Sequence, residues 1–116
     1  VYILENHSFK IQNMLLWLAE KSNVEEISLI KNETLFLELA EREPPDIAFI
    51  RLGDQAIPGL SIGNKLNQMA KNTDIVYISD DGDQALNAYD VGAVGYLIGP
   101  VERNKFEKCF SNFKNK

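Results

Sequence analysis

Ile47-Ala48-Phe49-Ile50, preceded by Pro45-Asp46 and followed by Arg51-Leu52-Gly53, decides the fold of this 116-residue chain. Four apolar residues in a row between a proline and a glycine read as a strand, Ile47 to Leu52, buried on both faces. A second such run, Ile75-Val76-Tyr77-Ile78, gives a strand from Asp74 to Ile78. Strands hidden on both sides belong to parallel sheets covered by helices.

Helical patterns fill the intervals. Val1 to Leu4 reads as a short first strand, and Ser8 to Lys21 carries Phe9, Ile11, Met14, Leu15 and Leu18 at helical spacing. Val24 to Ile30 is the second strand, and Glu33 to Arg42 a helix ended by Pro44-Pro45. Beyond the third strand come a loop from Gly53 to Gly59 and a helix from Ser61 to Lys71. Gln84 to Val91 is a helix closed by Gly92, Tyr96 to Ile98 a fifth strand, and Glu102 to Phe113 the last helix. Five β-then-α units predict one α/β domain over residues 1–116, a flavodoxin-like (βα)5 doubly wound parallel sheet of order 2-1-3-4-5. Its crevice should lie outside the carboxyl ends of strands 1, 3 and 4, at Glu5, Asn6, Arg51 and Ser79.

Composition excludes several classes of function. A chain that is 45% hydrophobic and 25% charged is ordinary for a soluble globular domain. The net charge of −5 argues against a nucleic-acid-binding face, which needs clustered Lys and Arg. Basic residues gather only near the end (Lys105, Lys108, Lys114, Lys116), where a solvated helix accounts for them. The lone Cys109 cannot form an internal disulfide, which fits a reducing, cytoplasmic compartment. No apolar run approaches the ~20 residues of a membrane span, and no signal-peptide pattern is present. The first strand starts at Val1 without an initiator Met, as in a domain excised from a longer protein.

The chain resembles the receiver domains of two-component response regulators along its whole length. Four features carry the resemblance: Glu5-Asn6 after strand 1, Pro45-Asp46 before strand 3, Pro58-Gly59 in the following loop, and the hydroxyl of Ser79 ending strand 4. The stretch from Ala85 to Val101, with Gly92-Ala93-Val94-Gly95-Tyr96-Leu97 at its centre, is the most specific. It is similar to receivers that precede LytTR-type DNA-binding domains, where the segment ends in Lys-Pro rather than Gly99-Pro100.

The resemblance implies a site in which two acidic residues and a strand-3 aspartate hold Mg²⁺, the aspartate accepts a phosphoryl group, and a hydroxyl and a lysine stabilise its charge. Position by position this chain supplies Glu5 and Asn6, then Arg51 for the acceptor, Ser79 for the hydroxyl, and Gly99 for the lysine. A guanidinium is neither a nucleophile nor a metal ligand. Glu5 and Arg51 can neutralise each other without a cation, and Asp80-Asp81 would repel a phosphoryl group. The expected pocket is degenerate, with no catalysis and no cofactor. Counting back from Pro58-Gly59 instead puts the acceptor at Asp54, and this register keeps open a phosphorylatable, Mg²⁺-dependent receiver built on Glu5 and Asp54. A third reading makes Arg51 an anion anchor for a small molecule.

Other residues have plainer readings. His7 reads as an exposed loop residue with no partner cluster, and Cys109 as a small buried hydrophobe beside Phe106, Phe110 and Phe113. Met14-Leu15-Leu16-Trp17-Leu18 is apolar over more than one turn, so Leu16 should point partly outward, and Trp17 either joins it as a partner patch or lies over the helix edge on Lys or Glu stems. The helix 4–strand 5–helix 5 face (Ala88, Tyr89, Tyr96, Val101, Lys105) is the second candidate surface, the one through which similar receivers commonly dimerise. The expected role is a pseudo-receiver in a transcriptional regulator. It would act by homodimerisation or partner docking, with a histidine kinase as a candidate partner and no direct contact with nucleic acid or membrane.

Overall fold

The computed structural model describes residues 1–113. The strands are β1 (Tyr2–Leu4), β2 (Ser28–Ile30), β3 (Ile47–Arg51), β4 (Asp74–Ser79) and β5 (Gly95–Ile98). The helices are α1 (Gln12–Ala19), α2 (Glu33–Arg42), α3 (Gly59–Met69), α4 (Ala85–Asp90) and α5 (Arg103–Phe110), with a 3-10 turn at Ser8–Ile11. The sheet has the order β2-β1-β3-β4-β5, and every adjacent pair is parallel.

Both central strands are buried throughout, because alternate residues feed two separate apolar layers. Ala48 and Ile50 of β3 join Phe36, Ile62, Leu66 and Tyr77 under α2, α3 and α4. Ile47 and Phe49 join Met14, Leu18, Val76, Phe106 and Phe110 under α1 and α5. Full burial of each large apolar side chain stabilises by about 1.5–3 kcal/mol, so these two layers, not helix propensity, hold the short helices in place.

The boundaries differ from the sequence expectation where local hydrogen bonding overrides periodicity. The expected first helix opens as a 3-10 turn, and α1 proper begins only at Gln12. The second strand starts at Ser28, not Val24, because the Val24 N–H turns back to the Lys21 carbonyl. The third helix begins at Gly59, two residues early, and α5 ends at Phe110. Phe113 still reaches the core beyond that helix end, its ring 4.8 Å from that of Phe110. Lys114 and Lys116 lie outside the described residues.

Trp17 is half-buried. Its ring lies 5.4 Å from that of Phe106 and under the Arg103 guanidinium, so it serves the α1–α5 seam. Ion pairs Arg103–Glu20 and Lys21–Glu107 flank the same seam. Leu16 does point outward, 64% exposed.

Candidate functional site

Four strands end at one rim. The Glu5 N–H extends the ladder to the Ile30 carbonyl, and the Leu52 N–H bonds to Ile78, which leaves Arg51 at the tip of β3 beside Glu5. Ser79 ends β4, and its carbonyl accepts from the Gly99 N–H just past β5, at 2.7 Å. Gly53, with φ of +83°, turns the chain out of β3 in a conformation that suits glycine.

Arg51 and Glu5 are both enclosed, at 3% and 0% exposure. Arg51 Nε and Nη2 donate to one oxygen, Glu5 Oε1, at 2.6 and 2.5 Å. Glu5 Oε2 accepts from the His7 backbone N–H at 3.2 Å. Arg51 Nη1 reaches Asp80 Oδ1 at 3.3 Å, and Lys10 Nζ meets Asp80 Oδ2 at 3.1 Å. The result is a chain of alternating charge, Glu5–Arg51–Asp80–Lys10. Lys10 first, and Arg51 after it, hold the Asp80 carboxyl below the usual carboxylate range.

Asp54 stands three residues beyond the strand tip, in the loop. Its Oδ1 accepts from the Ala56 N–H at 2.9 Å and its Oδ2 from Asn6 Nδ2 at 3.3 Å. The Ala56 N–H is the main cause of its lowered pKa, with Asn6 and His7 adding to it. His7 Nδ1 lies 3.8 Å from Asp54 Oδ2. His7 is exposed as expected, yet it does have a cluster: Glu5, His7 and Asp54 each bring one ligand atom within 4.8 Å of the others.

These residues do not fit the Mg²⁺ arrangement that the resemblance implies at Arg51. A fixed cation already sits against Glu5 Oε1, and a guanidinium cannot deprotonate to yield a ligand. A cation at Glu5, His7 and Asp54 would draw on mixed oxygen and nitrogen donors.

The remaining predicted residues separate. Ser79 is buried, its Oγ accepting from the Asp81 N–H at 3.3 Å. Tyr89 is 51% exposed on α4, Tyr96 is half-buried with its hydroxyl donating to the Asp81 carbonyl at 2.8 Å, and Lys105 is exposed on α5. Ala88 does not belong to that surface; it is fully buried in the core. Val101 is half-buried and lines a cleft with Phe9 and Met14. Lys10 is not legible in the sequence as part of the site, since its hydrogen-bond partner there, Asp80, comes from 70 residues away.

No protein-family model matches the chain. It is 22% identical over 114 residues to the transcriptional regulatory protein BtsR of Escherichia coli (strain K12), covering 98% of this chain and 47% of that protein. It is 26% identical over 102 residues to the sensory transduction protein LytT of Bacillus subtilis (strain 168), covering 86% of this chain and 42% of that one. It thus spans less than half the length of these curated relatives. The response regulatory domain of protein mrkE from Klebsiella pneumoniae superposes with a TM-score of 0.82 at 20% identity, covering 97% of this chain and 92% of that domain. The chain has the receiver fold of the response regulators. Among the described residues, no helix is long and apolar enough to cross a membrane.

Proposed function

We propose that this receiver is a pseudo-receiver: a non-enzymatic, cytoplasmic module of a two-component-type transcriptional regulator that works without phosphorylation. The Glu5–Arg51 pair carries the reading, because it puts a permanent cation where a phosphoacceptor and its metal would be needed. Its output is protein–protein contact through α4, β5 and α5, where Leu86, Tyr89 and Ile98 are exposed at 82%, 51% and 52%. The occupant is a second copy or a partner protein. DNA contact falls to a separate segment of the full protein, as the regulator names of the relatives suggest. Incubation with acetyl phosphate and Mg²⁺ should leave the intact mass unchanged.

A second reading is favoured by one observation, the approach of Asp54 to Glu5, Asn6 and His7. In it Asp54 accepts the phosphoryl group from a histidine kinase, with Mg²⁺ held by Glu5 and Asp54. A gain of one phosphoryl mass, abolished by Asp54→Asn, would establish this reading in place of the first.

A further inference from the structure

A cleft of about 440 Å³ opens beside the rim, between the Ser8–Ile11 turn with α1 and the loop that follows β5. Phe9, Met14, Ile78 and Val101 form its apolar walls, and Lys10, Arg51 and Asp80 stand together in its lining. Gly99 leaves room there, since a Cβ added at 99 would make only ordinary contacts, 3.7 Å from Asp80 Oδ1 and 3.8 Å from the Ser79 carbonyl oxygen.

We infer that this cleft binds a small organic anion with an apolar body, whose acidic head replaces Asp80 between Lys10 and Arg51. The charges favour an exchange. Glu5 neutralises the enclosed side of Arg51, so the inner pair need not open. The outer donors, Arg51 Nη1 and Lys10 Nζ, share a single carboxylate whose side chain is 66% exposed, and the Arg51 contact is long at 3.3 Å. Asp80 can turn into water at little cost, while a ligand carboxylate or sulfonate offers an oxygen to each donor. A buried charge left unpaired would be costly, and the exchange leaves none.

Chemistry narrows the ligand class further. A cation meets Lys10 and Arg51. A neutral aromatic leaves both donors unused. A bare inorganic anion loses its hydration shell without touching the apolar walls. An aryl carboxylate or sulfonate satisfies both halves of the cleft, and a site of this volume suits a molecule of two or three rings. Displacement of Asp80 would also free the first residue of the β4–α4 loop, which coupling to Lys10 and Arg51 otherwise holds.

The probe is 8-anilinonaphthalene-1-sulfonate, titrated into the folded chain and followed by fluorescence and by amide shifts of Lys10, Asp80 and Gly99. Saturable one-to-one binding is expected. Lys10→Ala should weaken it by about tenfold, the size of one charge-assisted hydrogen bond. Asp80→Asn removes the internal competitor and should tighten it. The uncharged analogue N-phenyl-1-naphthylamine should bind at least tenfold more weakly. Three outcomes would overturn the inference: no saturable binding, equal binding of the uncharged analogue, or affinity indifferent to Lys10→Ala. Weaker binding to Asp80→Asn would overturn the exchange itself. None of these readouts depends on whether Asp54 can be phosphorylated.

Discussion

The phenol of Tyr77 on β4 abuts Gly63 of α3 so closely that a Cβ at position 63 would lie 1.7 Å from its oxygen. Helix α3 rests on the sheet through that glycine. The Tyr77 hydroxyl is buried without a hydrogen-bond partner among the described residues, and burial pushes its pKa up to about 12. Gly63→Ala should therefore destabilise by about 1–3 kcal/mol through overpacking. Tyr77→Phe should be neutral or slightly stabilising, because it removes an unsatisfied polar atom. Combining the two should recover part of the Gly63→Ala loss, as read from urea midpoints; strict additivity would show that the contact is relaxed in solution.

Arg51 and Glu5 should behave as one unit. Arg51→Leu alone strands a buried carboxylate and should cost about 3 kcal/mol. The double variant with Glu5→Leu should cost less than the sum of the singles, with a coupling of about 1–3 kcal/mol. A coupling near zero in that cycle would mean that the two groups do not interact.

Acid should weaken the fold through Asp54 and Asp80, whose pKa values are both lowered. For a carboxyl with a depressed folded-state pKa, the stabilisation is complete above the unfolded-state value of about 3.9 and disappears as pH falls through the folded-state value. Denaturation midpoints should thus decline below about pH 4–5, and Asp54→Asn should flatten that decline. An acid limb just as steep in Asp54→Asn would remove Asp54 from the account.

Tyr89→Glu should weaken self-association while shifting thermal stability little, since the side chain is half exposed and outside the core. Sedimentation velocity at high micromolar concentration provides the test. A wild-type chain that stays monomeric throughout excludes self-pairing as the role and turns attention to Leu16 on α1.

The sheet was legible in the sequence because Ile47–Ile50 and Ile75–Ile78 are short apolar runs bounded by turn residues, a pattern that suits a twice-covered strand. The Glu5–Arg51 meeting was legible as well, because strand order alone sets those two tips side by side. The burial of Ala88 is not legible, because a helix as short as Ala85–Asp90 offers too few positions to fix its phase. How far Trp17 is covered is not legible, because its cover, Phe106 and Arg103, comes from the far end of the chain. His7 and Lys10 escaped for a related reason. Their partners, Asp54 and Asp80, lie in loops whose course no periodicity encodes.

The room for a Cβ at Gly99 bears on the order in which single substitutions could make this rim more acidic. Arg51→Asp as a first step would set a second carboxylate against the enclosed Glu5, with no lysine nearby on β5 to offset it. Gly99→Lys as a first step starts from a Cβ that makes only ordinary contacts, 3.7 Å from Asp80 Oδ1, a carboxylate already paired with Lys10. On charge alone, a cation gained at 99 before Arg51 is replaced is the order that strands less negative charge beside Glu5, where Lys10 already pairs with Asp80.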